Sequence, residues 1–116
     1  GRETCLFIYI GGIMKPIFIN FTDENGEKTK TFTTCTMKTG IVDNIFDIAE
    51  RAEKLEKGNV TMSEVRSFNN DLKSLILEVF KYQFSFEELN EQVEQEELMK
   101  VFKDICNSIG GGLKKN

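Results

Sequence analysis

Ile17-Phe18-Ile19-Asn20-Phe21-Thr22-Asp23-Glu24-Asn25-Gly26-Glu27-Lys28-Thr29-Lys30-Thr31-Phe32-Thr33-Thr34-Cys35 is the stretch that decides the fold. Apolar residues alternate at 17, 19 and 21, and β-branched residues fill most of 29–34, so both arms read as strands. Asn25-Gly26 between them is a strong hairpin signal, because both residues tolerate the positive φ of a type I′ turn. With that pair as the turn, Glu24 faces Glu27 and Asp23 faces Lys28. Ile19 then lies opposite Phe32, and one face of the ribbon is apolar. Pro16 stands just before the first strand, a position proline accepts. A lone hairpin is marginal in water, so this one is expected to pack on helices or to pair with another chain.

Downstream the apolar period changes from two to between three and four. From Lys38 to about Lys57, Ile41, Ile45, Ile48, Ala52 and Leu55 form a helical stripe, widened by Val42, Phe46 and Ala49. Gly58-Asn59 reads as its C-terminal cap. Thr61-Met62-Ser63-Glu64 is a capping box that opens a second helix running to about Tyr82. Its inward face is Val65, Phe68, Leu72, Leu75, Ile76, Val79 and Phe80. Ser85-Phe86-Glu87-Glu88 is another capping box, opening a short helix through about Glu91. A last helix covers 95–109, with Leu98, Val101, Phe102, Ile105 and Ile109 inward. The fold class expected is α+β, mainly α: an N-terminal β-hairpin followed by three to four helices. It forms a single domain over 14–109, with 110–116 a flexible tail.

Upstream, Cys5-Leu6-Phe7-Ile8-Tyr9-Ile10 is apolar but makes a poor signal peptide and is far too short to span a bilayer. Gly11-Gly12-Ile13-Met14 is encodable by GGA-GGA-AT(A/T)-ATG, which contains a bacterial ribosome-binding sequence before a start codon. Residues 1–13 are therefore expected to be a translated leader or cloning-derived segment, with Met14 the natural start. The competing reading is a genuine N-terminal strand.

Composition narrows the function. The 116 residues carry a net charge of −4, against the basic stripe that phosphate neutralisation needs and against docking on an anionic membrane. There is no histidine, which removes the commonest general base and metal ligand. The three cysteines, Cys5, Cys35 and Cys106, lack CxxC spacing and make a poor start for a zinc site. They read as reduced thiols of a cytosol. No enzyme activity, cofactor, metal, nucleic acid or membrane is expected.

The features that could carry chemistry have plainer readings. Glu87, Glu88, Glu91, Glu94, Glu96 and Glu97 lack the Asp/Asn alternation and central glycine of an EF-hand loop and read as a solvated acidic surface. Glu96 and Glu97 suit the positive end of the last helix. Gly110-Gly111-Gly112 follows a helix instead of preceding one, so it is not a phosphate loop. Asp43, Asp47 and Arg51 are spaced for a surface ion-pair row. The densest apolar cluster runs through Leu75-Ile76-Leu77, Val79-Phe80, Phe84 and Phe86. Most of it should be core, while a remainder that stays exposed would mark a protein contact. The partner-binding residues expected are Leu77, Phe80, Phe84, Phe86, Leu89 and Phe102.

The run Leu77-Glu78-Val79-Phe80-Lys81-Tyr82-Gln83-Phe84-Ser85-Phe86-Glu87-Glu88-Leu89 resembles a segment of the tail assembly chaperones of siphophages that infect Gram-positive bacteria. That family shows a helix ending in Val/Ile-Phe, two variable residues, Gln-Phe-Thr/Ser, one residue, then two acidic residues. The order of hairpin, long helix and C-terminal helix with a Gly-containing tail is similar too, and the likeness covers nearly everything from Met14 onward. The lactococcal-type tape measure chaperones are similar in these features. The family often has Gly-Asn before the Gln-Phe, where this chain has Lys81-Tyr82. It also often has an Asp-Gly turn after the short helix, where this chain has Gln92-Val93.

The resemblance implies a chaperone that binds and solubilises the tape measure protein during tail morphogenesis. It implies action in the host bacterial cytoplasm, recruitment of the major tail protein that builds the tube, and absence from the mature virion. A longer frameshifted product is also implied, compatible with an A-rich codon run at Lys114-Lys115-Asn116. Covering so long a ligand needs many copies, so self-association into a ring or spiral is expected, through the hairpin edge or the C-terminal helix. The competing reading is a small acidic phage adaptor or inhibitor that binds a host protein.

Overall fold

The computed structural model of the chain describes residues 16–110. The leader expected over 1–13 and the tail from 111 onward lie outside the described residues. Within them, strands β1 (Ile17–Thr22) and β2 (Lys28–Thr34) precede four helices: α1 (Thr39–Glu56), α2 (Met62–Val79), α3 (Phe86–Gln92) and α4 (Gln95–Gly110). The expected α+β, mainly α class is what forms. α4 reaches Gly110, the first residue of the expected tail.

β1 and β2 pair antiparallel with Ile17 opposite Thr34, Ile19 opposite Phe32 and Phe21 opposite Lys30. The expected register thus holds along the body of the ribbon. It breaks at the tip, where Thr22 pairs with Lys28 and Thr29 becomes the extra residue of a bulge. The tip is not a two-residue type I′ turn. Asp23 closes on Glu27, its N–H donating to the Glu27 carbonyl at 2.9 Å, and the Gly26 N–H donates to the Asp23 carbonyl at 3.0 Å. The Asp23 carboxylate drives this wider loop by accepting from the N–H groups of Asn25 and Glu27, each at 2.9 Å. Gly26 alone in the tip takes positive φ, at 83°.

Ile17, Ile19 and Phe21 point inward from β1 and are buried. They join Ile45 and Ile48 of α1, Phe68, Leu72, Leu75, Ile76, Leu77 and Val79 of α2, and Leu98, Val101, Phe102 and Ile105 of α4 in one core. Burying a side chain of this size stabilises by roughly 1.5–3 kcal/mol each before chain entropy is counted. Phe46 and Val65, expected to face inward, are exposed: each sits at the margin of its stripe. Cys35 is buried just after β2 and is disulfide-bonded, which corrects the reading of three reduced thiols.

The helix ends follow from local chemistry. Gly58 takes φ 88° and Asn59 φ 59° after α1, as a C-terminal cap requires. The capping boxes at Thr61/Glu64 and Ser85/Glu88 both form, with side chain and backbone bonded reciprocally. The packing divides into two parts. α1 and α2 pack closely on each other, while α4 runs along β1 and α3 touches it. The parts meet where α2 contacts α3 and where both long helices contact α4.

Candidate functional site

α2 stops at Val79, three residues earlier than its apolar period suggests. The cause is the Phe80-Lys81-Tyr82 backbone. The Lys81 N–H donates to the Glu78 carbonyl at 3.0 Å and the Tyr82 N–H to the Leu77 carbonyl at 2.9 Å. This is the bond pattern of a Schellman cap, whose left-handed position is normally glycine. Here Lys81 and Tyr82 occupy left-handed geometry in succession, at φ 59° and 58°. Such backbone costs on the order of 1–3 kcal/mol per non-glycine residue and persists only where its surroundings over-determine it. The Gly-Asn expected at these positions from the resembled family would suit this geometry.

The surroundings that hold the turn belong to the end of β2 and the segment after it. Lys81 Nζ donates to the Thr36 hydroxyl at 2.8 Å, the Thr36 carbonyl at 3.0 Å and the Thr34 hydroxyl at 3.1 Å. Gln83 Nε2 donates to the Thr33 carbonyl at 2.8 Å. The Thr34 hydroxyl in turn donates to the Val79 carbonyl, one of the orphan acceptors at the end of α2, at 3.0 Å. Burial, and after it the nearby Lys38 ammonium, hold the Lys81 amine below the ordinary lysine value.

Phe84 plugs the same joint from inside. Its ring centroid lies 5.0 Å from those of both Phe21 and Phe32 and 5.7 Å from that of Phe80. The edge-on and tilted geometries are those that aromatic quadrupoles favour. Phe84 therefore connects hairpin and α2 at one point.

Of the partner-binding residues expected from the sequence, Phe80, Phe84 and Leu77 gather at this joint and are buried, and Leu89 and Phe102 are buried in the same core. As placed, these side chains are packed in the core of the fold. Phe86 differs: it is 38% exposed at the start of α3, with Lys73 Nζ 5.7 Å from its ring centre. Tyr82, on the same joint, is 66% exposed. Lys81 and Gln83 stand in the run that carries the family resemblance, but neither they nor Thr36 are among the partner-binding residues expected from the sequence. The signal available was the pair of non-glycine residues standing where glycine is usual.

The acidic stretch is partly structural. Glu97 Oε2 accepts the N–H of Asn20 in β1 at 3.0 Å, and Glu88 completes the Ser85 cap. Among the described residues no group of three or more Cys, Asp or Glu is placed to hold a metal ion. The expected row of Asp43, Asp47 and Arg51 does not form as such. Arg51 instead reaches across to Asp71 of α2 at 2.6 Å, because the two helices pack side by side. No helix among the described residues is long and apolar enough to cross a membrane.

A protein-family model described as phage tail chaperone protein matches residues 14–116. Neither the curated proteins nor the solved structures yield a match.

Proposed function

The chain belongs to the phage tail chaperone family, and from that premise we propose that it binds the tape measure protein and keeps it soluble while the tail is assembled. The observation that carries this reading is the family match over residues 14–116. The composition supports it: an acidic chain of net charge −4 without histidine suits shielding a protein better than binding nucleic acid or performing catalysis. Apolar side chains left at the surface, among them Phe86, Tyr82, Phe46 and Met62, offer contact points for an amphipathic helix.

In this reading the protein acts in the host cytoplasm by non-covalent contact alone, helps to recruit the major tail protein, and leaves before the virion is complete. Several copies line one tape measure chain, as a ring or a spiral according to whether the contact between copies closes. The test is co-expression of the full chain with the tape measure protein of the same phage. Soluble tape measure protein that co-elutes with the chain supports the reading. Tape measure protein that stays insoluble, with nothing co-eluting, overturns it.

A further inference from the structure

Two helices of this fold turn a charged face away from the core. On α1 the buried residues are Ile45 and Ile48, and Asp47, Glu50 and Lys54 stand exposed on the opposite side. Phe46, 48% exposed, lies beside them. On α4 the buried residues are Leu98, Val101, Phe102 and Ile105, and Glu96, Lys100 and Lys103 stand exposed on the opposite side. Met99, 38% exposed, lies beside them. Of these six charged side chains only that of Lys100 makes an ion pair or hydrogen bond among the described residues, an exposed contact with Asp104 at 3.2 Å. Exposed pairs of that kind contribute little.

The two faces match. Asp47, Glu50 and Lys54 are spaced three and then four residues apart. Lys103, Lys100 and Glu96, read backwards along α4, are also spaced three and then four, with the opposite charge at each place. Every α-helix rises equally per residue, so one antiparallel register brings Asp47 to Lys103, Glu50 to Lys100 and Lys54 to Glu96 together. Phe46 precedes Asp47 by one residue and Met99 precedes Lys100 by one, which sets both on the same flank of their charged rows. Antiparallel helices are related by a twofold axis across them, so like flanks meet and Phe46 comes to the side of Met99. Within one molecule both faces point outward, and the match is available only between copies.

We propose that α1 of one copy docks antiparallel on α4 of a second copy in this register. Phe46 and Met99 supply the apolar contact, and the three charge pairs fix orientation and register. Because the two faces differ, each docked copy still offers a free one, and copies add until the series closes. One helix pair buries little area, so the contact is weak and depends on concentration. Its purpose rests on the reading above, in which several copies line one tape measure chain. Phe46 is thereby used between copies, while Phe86, Tyr82 and Met62 remain for the tape measure protein.

Sedimentation velocity of the full chain over a concentration series, without any partner, tests the contact. The parent is expected to associate at low salt, and added salt to weaken the association. Asp47→Lys and Lys103→Glu each set like charges opposite one another and should weaken it at least about tenfold. An equimolar mixture of the two variants should recover it, because the untouched α1 face of one meets the untouched α4 face of the other. Lys28→Glu, the same charge change at the start of β2, should behave as the parent. Far-UV circular dichroism checks folding, and Glu50→Lys or Lys100→Glu replaces its neighbour if that variant does not fold.

A parent that stays monomeric overturns the contact. So do variants that associate as the parent does, a mixture as weak as its components, or a loss in Lys28→Glu equal to that in Lys103→Glu. Co-expression with the tape measure protein separates the two ideas. Association that follows the register beside an insoluble tape measure protein leaves the contact standing and removes the chaperone reading. A soluble tape measure protein beside a parent that stays monomeric does the reverse.

Discussion

The backbone N–H of Asn20 donates to the carboxylate of Glu97 at 3.0 Å, joining the outer edge of β1 to the first turn of α4 across 77 residues of sequence. The contact satisfies a strand-edge donor that would otherwise face the helix, and it sets an anion at the positive end of α4. Glu97→Ala should therefore destabilise the fold by about 1–2 kcal/mol, the cost of leaving a partly buried donor without its acceptor. Glu91→Ala, in the same acidic stretch but without such a bond, should stay within about 0.5 kcal/mol of the parent. Urea unfolding of the two variants side by side makes the comparison, and equal values would mean that the Glu97 contact contributes nothing.

Phe84 and Phe86 are two residues apart and should behave oppositely. Phe84 meets three other rings and is buried, so Phe84→Ala should cost on the order of 3–5 kcal/mol. Phe86 is at the surface beside Lys73, so Phe86→Ala should cost no more than about 1 kcal/mol. Thermal melts followed by circular dichroism distinguish them. A loss of partner binding in the Phe86 variant reports on a contact, whereas in the Phe84 variant it reports first on folding.

Lys81 makes stability depend on alkaline pH in a stated direction. Its folded-state pKa lies below the ordinary value because of burial and the neighbouring Lys38. The unfolded chain therefore holds that proton more tightly than the folded one. Stability attributable to this group rises as the pH climbs from the lowered folded value toward the unfolded value of about 10.4. Lys81→Met removes the titration. The stability difference, parent minus Lys81→Met, should accordingly grow through that window, measured by urea midpoints at a series of alkaline pH values. A difference that stays flat or falls contradicts the assignment.

The hairpin was legible in the sequence because its strands alternate and its register depends on that alternation; Ile19 meets Phe32 as the pattern requires. Its turn was not, because Asn25-Gly26 competes with Asp23, whose carboxylate gathers the N–H groups of Asn25 and Glu27 and widens the loop. The starts of α2 and α3 were legible through Thr61/Glu64 and Ser85/Glu88, since a capping box is a local bond pattern. The end of α2 was hidden, because Lys81 and Tyr82 carry no glycine signal and are held left-handed by Thr34 and Thr36, more than forty residues away in sequence. The candidate site was the least legible part. A period between three and four marks an apolar face but not whether that face meets its own chain or another, so Phe80 and Phe102 in the core read the same as a contact surface.

The two rims of the small sheet have a consequence for crowding. On one rim Glu97 occupies the Asn20 N–H, and on the other Gln83 occupies the Thr33 carbonyl, with Thr29 bulged out of line just beyond. A foreign strand seeking to lengthen the sheet must first displace a side chain from either rim, and meets an interrupted ladder beside the second. The ribbon is thus a poor template for β-growth, and the protein can be concentrated without its strands zipping together.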